Sequence, residues 1–413
     1  MNRICLLLLF LFSCNSPESK ISEEKAIDPQ IGEDQFAGFW LAQCVANWTG
    51  LITEMDKIGD VGEIKTGPFY TRDNWGGEDE PNIWSGDTVS KISPVIDFVL
   101  VPEDSVWGAD DDTDIEYIYQ ELLLEHDTAF LSGEQIAAGW LKHIWPEEEN
   151  YLWVSNQRAY DLMGEGVLPP MTSAVDRNEH WEMIDAQLTT EIFGLYAPGN
   201  PELALRMAEL PIRTSANHEA AEIARFNVVM YALAAGQERG VLAGPQVLGM
   251  AKRARSVLKP GDYPSEMYDF VLSQYESGAP WEQCRDEVYR RYQVDQADGY
   301  DITSQNIYCN GCFAAGINFA ASLISLFYGE GDLKETIKIG TLCGWDSDNP
   351  TATWGGMIGF VMGRDAVEAA FGQPLSNKFW IHRTRRGFGD GYDDFTTMAK
   401  KGMKVRESVG ERR

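Results

Sequence analysis

From Gln35 onward the apolar residues recur at three- and four-residue spacing, the period that places one face of a helix against a core. The pattern runs through DIEYIYQELLLEH (Asp114 to His126), GEQIAAGWLKHIW (Gly133 to Trp145), HWEMIDAQLTTEIFG (His180 to Gly194) and HEAAEIARFNVVMYALAA (His218 to Ala235). It resumes in SEMYDFVLSQYESG (Ser265 to Gly278), WEQCRDEVYRRYQ (Trp281 to Gln293) and AAGINFAASLISLFYGEGD (Ala314 to Asp332). These segments predict a single compact all-α domain over residues 35–413, with about a dozen helices and no internal repeat. The stretch from Asp56 to Gly108 breaks the period. It is rich in Gly, Asp, Trp and Pro, holds one possible strand in SPVIDFVLVP, and reads as a loop-rich insertion.

The first residues follow a different pattern. One basic residue, Arg3, precedes an apolar run from Ile4 to Phe12, which is too short for a spanning helix and fits the core of a secretory signal. LFSC, Leu11 to Cys14, resembles a bacterial lipobox. That implies a signal peptide over residues 1–13, diacylation of Cys14, and an extracytoplasmic lipoprotein held to the membrane by its lipid alone; an ordinary signal peptide cut elsewhere is the alternative. Residues 14–34 are polar and read as a flexible tether.

Composition narrows the partners. A formal net charge of -30 over 413 residues disfavours nucleic acid and anionic membrane surfaces, and leaves hard cations as natural ligands. Beyond Cys5 and Cys14, the chain has Cys44, Cys284, Cys309, Cys312 and Cys343. CNGC at Cys309–Cys312 has no second CxxC to complete a zinc site, so it reads as a local disulfide or as two buried thiols. In the insertion, Trp75, Trp84 and Trp107 either stack on a sugar ring or pin the loop to the core.

Two acidic runs carry the candidate chemistry. In GWDSDNPTATWGGMIGFVMG, Asp346 and Asp348 precede Asn349 and Pro350, a helix-start signal, and Gly355, Gly359 and Gly363 then stripe one face of a buried helix. In ADDDTDIEYIY, Asp110, Asp111 and Asp112 lead into another helix. Acidic groups at helix starts offset the dipole, which is one reading of both runs. The other is convergence: carboxylates gathered in a core need countercharge, and basic residues are scarce in both motifs. Oxygen ligands without His or Cys select Mg²⁺, Mn²⁺ or Ca²⁺.

GFWLAQCVANWTGLITE, Gly38 to Glu54, is similar to the opening helix of the ADP-ribosylglycohydrolase family, usually GxxxGxxxGDxxGxxxE. ADDDTDIEY resembles that family's TDDT motif, and GWDSDNPTATWGGMIG its GxDTDT motif. The resemblance implies an all-α hydrolase of glycosidic bonds whose acidic motifs hold two Mg²⁺ ions, with Mn²⁺ or Ca²⁺ as substitutes, and activate water against a ribosyl or other glycosyl C1. Carried over by position, Asp111, Asp112, Asp346 and Asp348 are metal ligands and Glu54 is the catalytic acid or base. Asp110 and Asn349 stand where threonines are expected and Asn47 where an aspartate is; each keeps a side-chain oxygen, so Asp110 and Asn349 join the candidate ligands. The middle segment DAQLTTE lacks the glycines and arginine of the family's usual GNGxxMR, leaving Asp185 and Gln187 as candidate substrate-binding residues. Without a cradle for pyrophosphate in this acidic chain, the expected substrate is a neutral furanosidic or related glycoside with vicinal hydroxyls. The rivals are a non-catalytic sugar- or nucleotide-binding lipoprotein that keeps the fold, and a structural protein whose acidic runs only cap helices.

Overall fold

A computed structural model describes residues 31–145, 154–302, 308–381 and 385–411, so the Ile4–Phe12 run and Cys14 lie outside the described residues. The centre of the fold is a crossing of two helices. The opening helix, Glu33–Gly50, carries Gly38, Ala42, Ala46 and Gly50 at four-residue spacing, and it lies against Gly355 and Gly359 of the Asp348–Met362 helix and Gly363 just past its end. Small residues on both faces bring the backbones into contact. A β-carbon on Gly38 would sit 2.7 Å from the carbonyl carbon of Gly363, and one on Gly359 would sit 2.5 Å from the Gly38 carbonyl oxygen. Such a helix pair is covered on nearly every side, so its residues are mostly apolar or small, with buried polar groups gathered toward the acidic motifs.

The covering layers follow from the periodic segments. Ala315–Gly329 and Leu333–Cys343 pack on the Asp348–Met362 helix, with His218–Ala235 also against it, while Arg364–Phe371 and the final helix Phe395–Glu411 close over the opening helix. The Asp111–Glu125 helix leans on both the opening and the final helix. The all-α expectation is met. The described β-structure is a three-stranded patch in which β1 (Trp107–Gly108) runs parallel to β2 (Lys378–Trp380), and β2 antiparallel to β3 (Tyr392–Asp394). Trp107 pairs with Phe379, which ties the C-terminal segment to the chain just ahead of Asp110.

Two expectations are adjusted and two open alternatives are resolved. SPVIDFVLVP forms no strand; a single bridge joins Glu78 to Val95, because Pro94 and Pro102 lack amide donors and no strand lies alongside to pair with. The insertion is instead pinned by its aromatics: Trp107 is fully buried and donates from Nε1 to the Ser376 carbonyl at 3.0 Å, and Trp75 packs edge-on to Phe98. Asn349 does not cap its helix, which begins at Asp348 and takes Asn349 and Pro350 into its first turn. The first turn lacks intrahelical acceptors for its amides, so proline is accommodated there. Cys309 and Cys312 form a disulfide, while Cys44, Cys284 and Cys343 are buried thiols.

The crossing generates a stability prediction. Gly359→Val would force two methyl groups between backbones already in contact, and overpacking of this kind costs about 1–3 kcal/mol or more. Thermal unfolding should show a clear drop in Tm, and an unchanged Tm would mean that the crossing has slack.

Candidate functional site

The crossing delivers the acidic motifs to one place. Gly50 lets the opening helix end against the start of its partner, where a β-carbon would sit 2.7 Å from the Ser347 carbonyl oxygen. The Ser347 hydroxyl donates to the Gly50 carbonyl at 2.9 Å and lies 3.0 Å from the Thr53 hydroxyl. Beyond the helix end, the Met55 amide donates to Trp345 O at 2.9 Å and the Trp345 amide to Lys57 O at 2.8 Å. Met55 and Trp345 both sit in the left-handed region, at φ 61° and 57°. Such backbone persists only where surroundings over-determine it, and Trp345 is fully buried with its indole donating to Gln293 Oε1 at 2.8 Å. This paired turn sets Glu54 beside Asp346 and Asp348, with carboxylate oxygens all within 4.8 Å of one another.

The second set forms at the start of the Asp111–Glu125 helix. Asp110 occupies the cap position, its amide accepted by the Thr113 hydroxyl at 3.0 Å, and oxygens of Asp110, Asp111 and Asp112 again lie within 4.8 Å of one another. Asn47, from the opening helix, joins the two sets. Its amide nitrogen points at Asp110 Oδ2 (3.2 Å), Asp112 Oδ2 (3.5 Å) and Asp348 Oδ2 (3.5 Å), so one donor faces three carboxylates from distant parts of the chain.

Asn349 and Gln187 stand differently from the sequence-based expectation. Asn349 donates to Asp112 Oδ1 at 3.4 Å, and its own oxygen accepts from Gln187 Nε2 at 3.1 Å. Gln187 therefore orients Asn349 rather than facing the cavity, and Asn349 offers its nitrogen to the acidic cluster. Asp185 does line the cavity, held by the Asn156 amide at 2.8 Å.

Burial dominates the electrostatics. It pushes Asp110 up to about 7 and Asp185 up to about 6, and raises Glu54, Asp111, Asp112 and Asp346 well above the carboxylate range, with charged neighbours adding to the shift. Asp348 Oδ1 is buried without a hydrogen-bond partner. The scarcity of bases near both motifs is offset in space by Arg385, which arrives from the C-terminal segment and pairs with Asp114 at 3.2 Å, both side chains fully buried. Its charge partly counters the rise at Asp111.

The carboxylates open into a cavity of about 890 Å³. Its other walls include four aromatic side chains, Trp48, Trp84, Phe313 and Trp380, among aliphatic and hydroxyl residues. Trp84 is the insertion tryptophan that faces the cavity, stacked on Phe313 with centroids 5.8 Å apart and planes 12° from parallel. Trp48, Phe313 and Trp380 were not singled out in sequence. Of these, Trp48 alone carried a signal, lying one residue after Asn47 inside the opening motif. Among the described lining residues, Lys91 is the one basic side chain facing Glu54, Asp110, Asp111, Asp112, Asp185, Asp346 and Asp348.

A model of the ADP-ribosylglycohydrolase family matches residues 28–406. Among solved structures, an ADP-ribosylglycohydrolase-related protein complex superposes with a TM-score of 0.50 at 15% identity, covering 91% of this chain and 98% of that one, a likeness of fold alone. No curated protein matches the sequence significantly.

The raised carboxyl groups fix the sign of a pH effect. The folded protein holds protons that the unfolded chain releases near pH 4, so this stabilisation is complete at low pH and is lost as pH rises through the folded-state values. Chelator-treated protein should melt at a falling temperature as pH increases from about 4 to about 7, and Asp110→Asn should flatten that slope. A melting temperature that rises over the same range would contradict the buried cluster.

Proposed function

The chain belongs to the ADP-ribosylglycohydrolase family, and from that membership we propose that it is a divalent-metal-dependent hydrolase of a glycosidic bond. The observation that carries this reading is the convergence of two carboxylate sets, bridged by Asn47, on the floor of a single cavity. Helix caps need one carboxylate each and have no reason to meet. The donor set fits a hard cation: it is all oxygen, and Asp348 Oδ1 is a buried acceptor with nothing donating to it.

Asp110, Asp111, Asp112, Asp346 and Asp348 would hold the metal, Mg²⁺ first, with Mn²⁺ or Ca²⁺ as substitutes. Bound divalent cations supply charge neutralisation and make water more acidic. The chain's own residues do the rest. Asn47 and Asn349 hold the carboxylates in register. Glu54 is half-buried at the cavity wall, with no side-chain hydrogen bond to another described residue, and is free to move a proton. In the hydrolysis, water oxygen bonds to the anomeric carbon as the bond from that carbon to the leaving oxygen breaks. The leaving oxygen takes a proton from Glu54, and water returns one to the carboxylate.

The lining favours an uncharged substrate. Seven carboxylates and one lysine among the described lining residues give a pyrophosphate little to bind, whereas vicinal hydroxyls suit both the acidic floor and the aromatic walls. We therefore assign a neutral furanosidic or related glycoside as the preferred substrate, cleaved by a lipoprotein anchored through Cys14. Among the described residues no helix is long and apolar enough to cross a membrane.

Three measurements test this. Mg²⁺, Mn²⁺ or Ca²⁺ at a hundredfold excess over its dissociation constant should stabilise the protein by about 2.7 kcal/mol, and Asp348→Asn should remove the effect; a chelator-treated protein indifferent to all three ions would end the metal reading. Assayed side by side on ADP-ribosylated peptide, O-acetyl-ADP-ribose and aryl furanosides, the enzyme should favour the neutral glycosides, and Glu54→Gln should cost about 10² to 10⁴ in kcat. Release of ADP-ribose with no turnover of neutral glycosides would reverse the substrate assignment. Cys14→Ala should move the protein from the membrane fraction to the soluble one, and retention after a salt wash would contradict the anchor.

A further inference from the structure

We infer that the cavity-side face of the three-stranded patch is a track for a linear neutral glycan, whose sugar rings lie successively over Trp48, Trp380 and Tyr392. The inference rests on the hydrolase reading of the acidic site and extends it to the length of the substrate. Strand register carries the argument. Gly108 on β1 pairs with Trp380 on β2, and Trp380 with Tyr392 on β3, so these three positions share one face of the sheet. The opposite face is the packed one, where Trp107 pairs with Phe379 and both are fully buried. Gly108 has no side chain, and the Trp48 ring takes that place: a β-carbon there would run into the indole, which also donates from Nε1 to the Gly108 carbonyl at 3.0 Å. Across the sheet the row therefore reads Trp48, Trp380, Tyr392.

The row has a direction. Its inner end adjoins the acidic floor, since Gly108 stands just ahead of Asp110 and Trp48 follows Asn47, whose amide faces three carboxylates. Trp48 and Trp380 both line the cavity, and Tyr392 lies beyond it. Exposure rises along the way, from a partly buried Trp48 to 42% at Trp380 and 54% at Tyr392. The Trp380 and Tyr392 rings have centroids 6.5 Å apart and planes 23° from parallel, and each keeps exposed surface of its own. Neighbouring strands stand about 4.8 Å apart, so the row covers about 10 Å from Gly108 to Tyr392. That is longer than one sugar ring. Tryptophan and tyrosine present an apolar face to the C–H side of a sugar and a polar edge to its hydroxyls. A single nucleoside base would meet one of these rings, whereas linked sugars meet all three.

The test uses methyl glycosides of one to four linked units derived from arabinan, xylan and cellulose, with adenosine and ADP-ribose alongside. Binding is measured by calorimetry with Mg²⁺ present, on the Glu54→Gln protein so that the probes stay intact, and turnover by kcat/KM on the native enzyme. In at least one series, affinity should rise about tenfold between one unit and three or four. Trp380→Ala and Tyr392→Ala should each remove most of that rise, so that long probes lose far more than the one-unit probe, and Tyr392→Phe should keep it. Both side chains are partly exposed, and a circular dichroism spectrum and Tm matching the parent protein establish that the variants are folded. The track is overturned if no series gains affinity with length, if the variants weaken every length equally, or if adenosine or ADP-ribose is the probe whose binding depends on Tyr392. Glu54-dependent turnover of a one-unit glycoside alongside any of those outcomes would leave the hydrolase reading standing. Length-dependent binding with no turnover of any probe would keep the track and end the hydrolase reading.

Discussion

Two helices that meet through glycine and alanine have nothing larger than a methyl group between them, and the distance between their axes is then set by close backbone approach. Everything at the acidic floor inherits its position from that contact. Glu54 follows the end of one helix, Asp346 and Asp348 stand at the start of the other, and Asn47 sits one turn inside the first with its amide aimed at both carboxylate sets. Rigid secondary structure positions such groups better than loops do. A flexible interface would let the carboxylates drift apart, which is what their mutual repulsion favours.

That repulsion is the other half of the design. Burial raises these carboxyls first, and each neighbouring carboxylate raises them further. The described residues supply little relief: the Asn47 nitrogen among three carboxylates, the Asn349 nitrogen at Asp112, and Arg385 paired with Asp114 at the margin. A fold that spends stability in this way at one cavity gains, on the proposed reading, a place where a bound cation would displace protons.

Helical periodicity made the architecture legible, because amphipathic segments such as His218–Ala235 and Ala315–Gly329 carry the same information locally that they use in packing. The acidic floor was legible too, since adjacent aspartates before a helix and a glycine stripe within it are unusual in combination. The cavity walls were not. Phe313 and Trp380 are single aromatics in unremarkable surroundings, brought to the site by a disulfide loop and by the pairing of β1 with β2. The roles of Asn349 and Gln187 turned on which atom of each amide faces which neighbour, and spacing carries no such information. Arg385 was hidden for the same reason: its partner Asp114 is close only in the folded chain.

The Thr53 and Ser347 hydroxyls that lock the crossing are separated by 294 residues of sequence. Contacts of such range form late, since a long loop must close before any of them is rewarded. During synthesis the opening helix, with Phe36, Phe39, Trp40 and Leu41 all destined for burial, must therefore wait without its partner until nearly the whole chain has emerged. The acidic floor can form only once Asp348 has been made. A chain interrupted before Asp348 would retain one carboxylate run and expose the apolar face meant to cover it, so incomplete products of this gene should be both inactive and prone to aggregate.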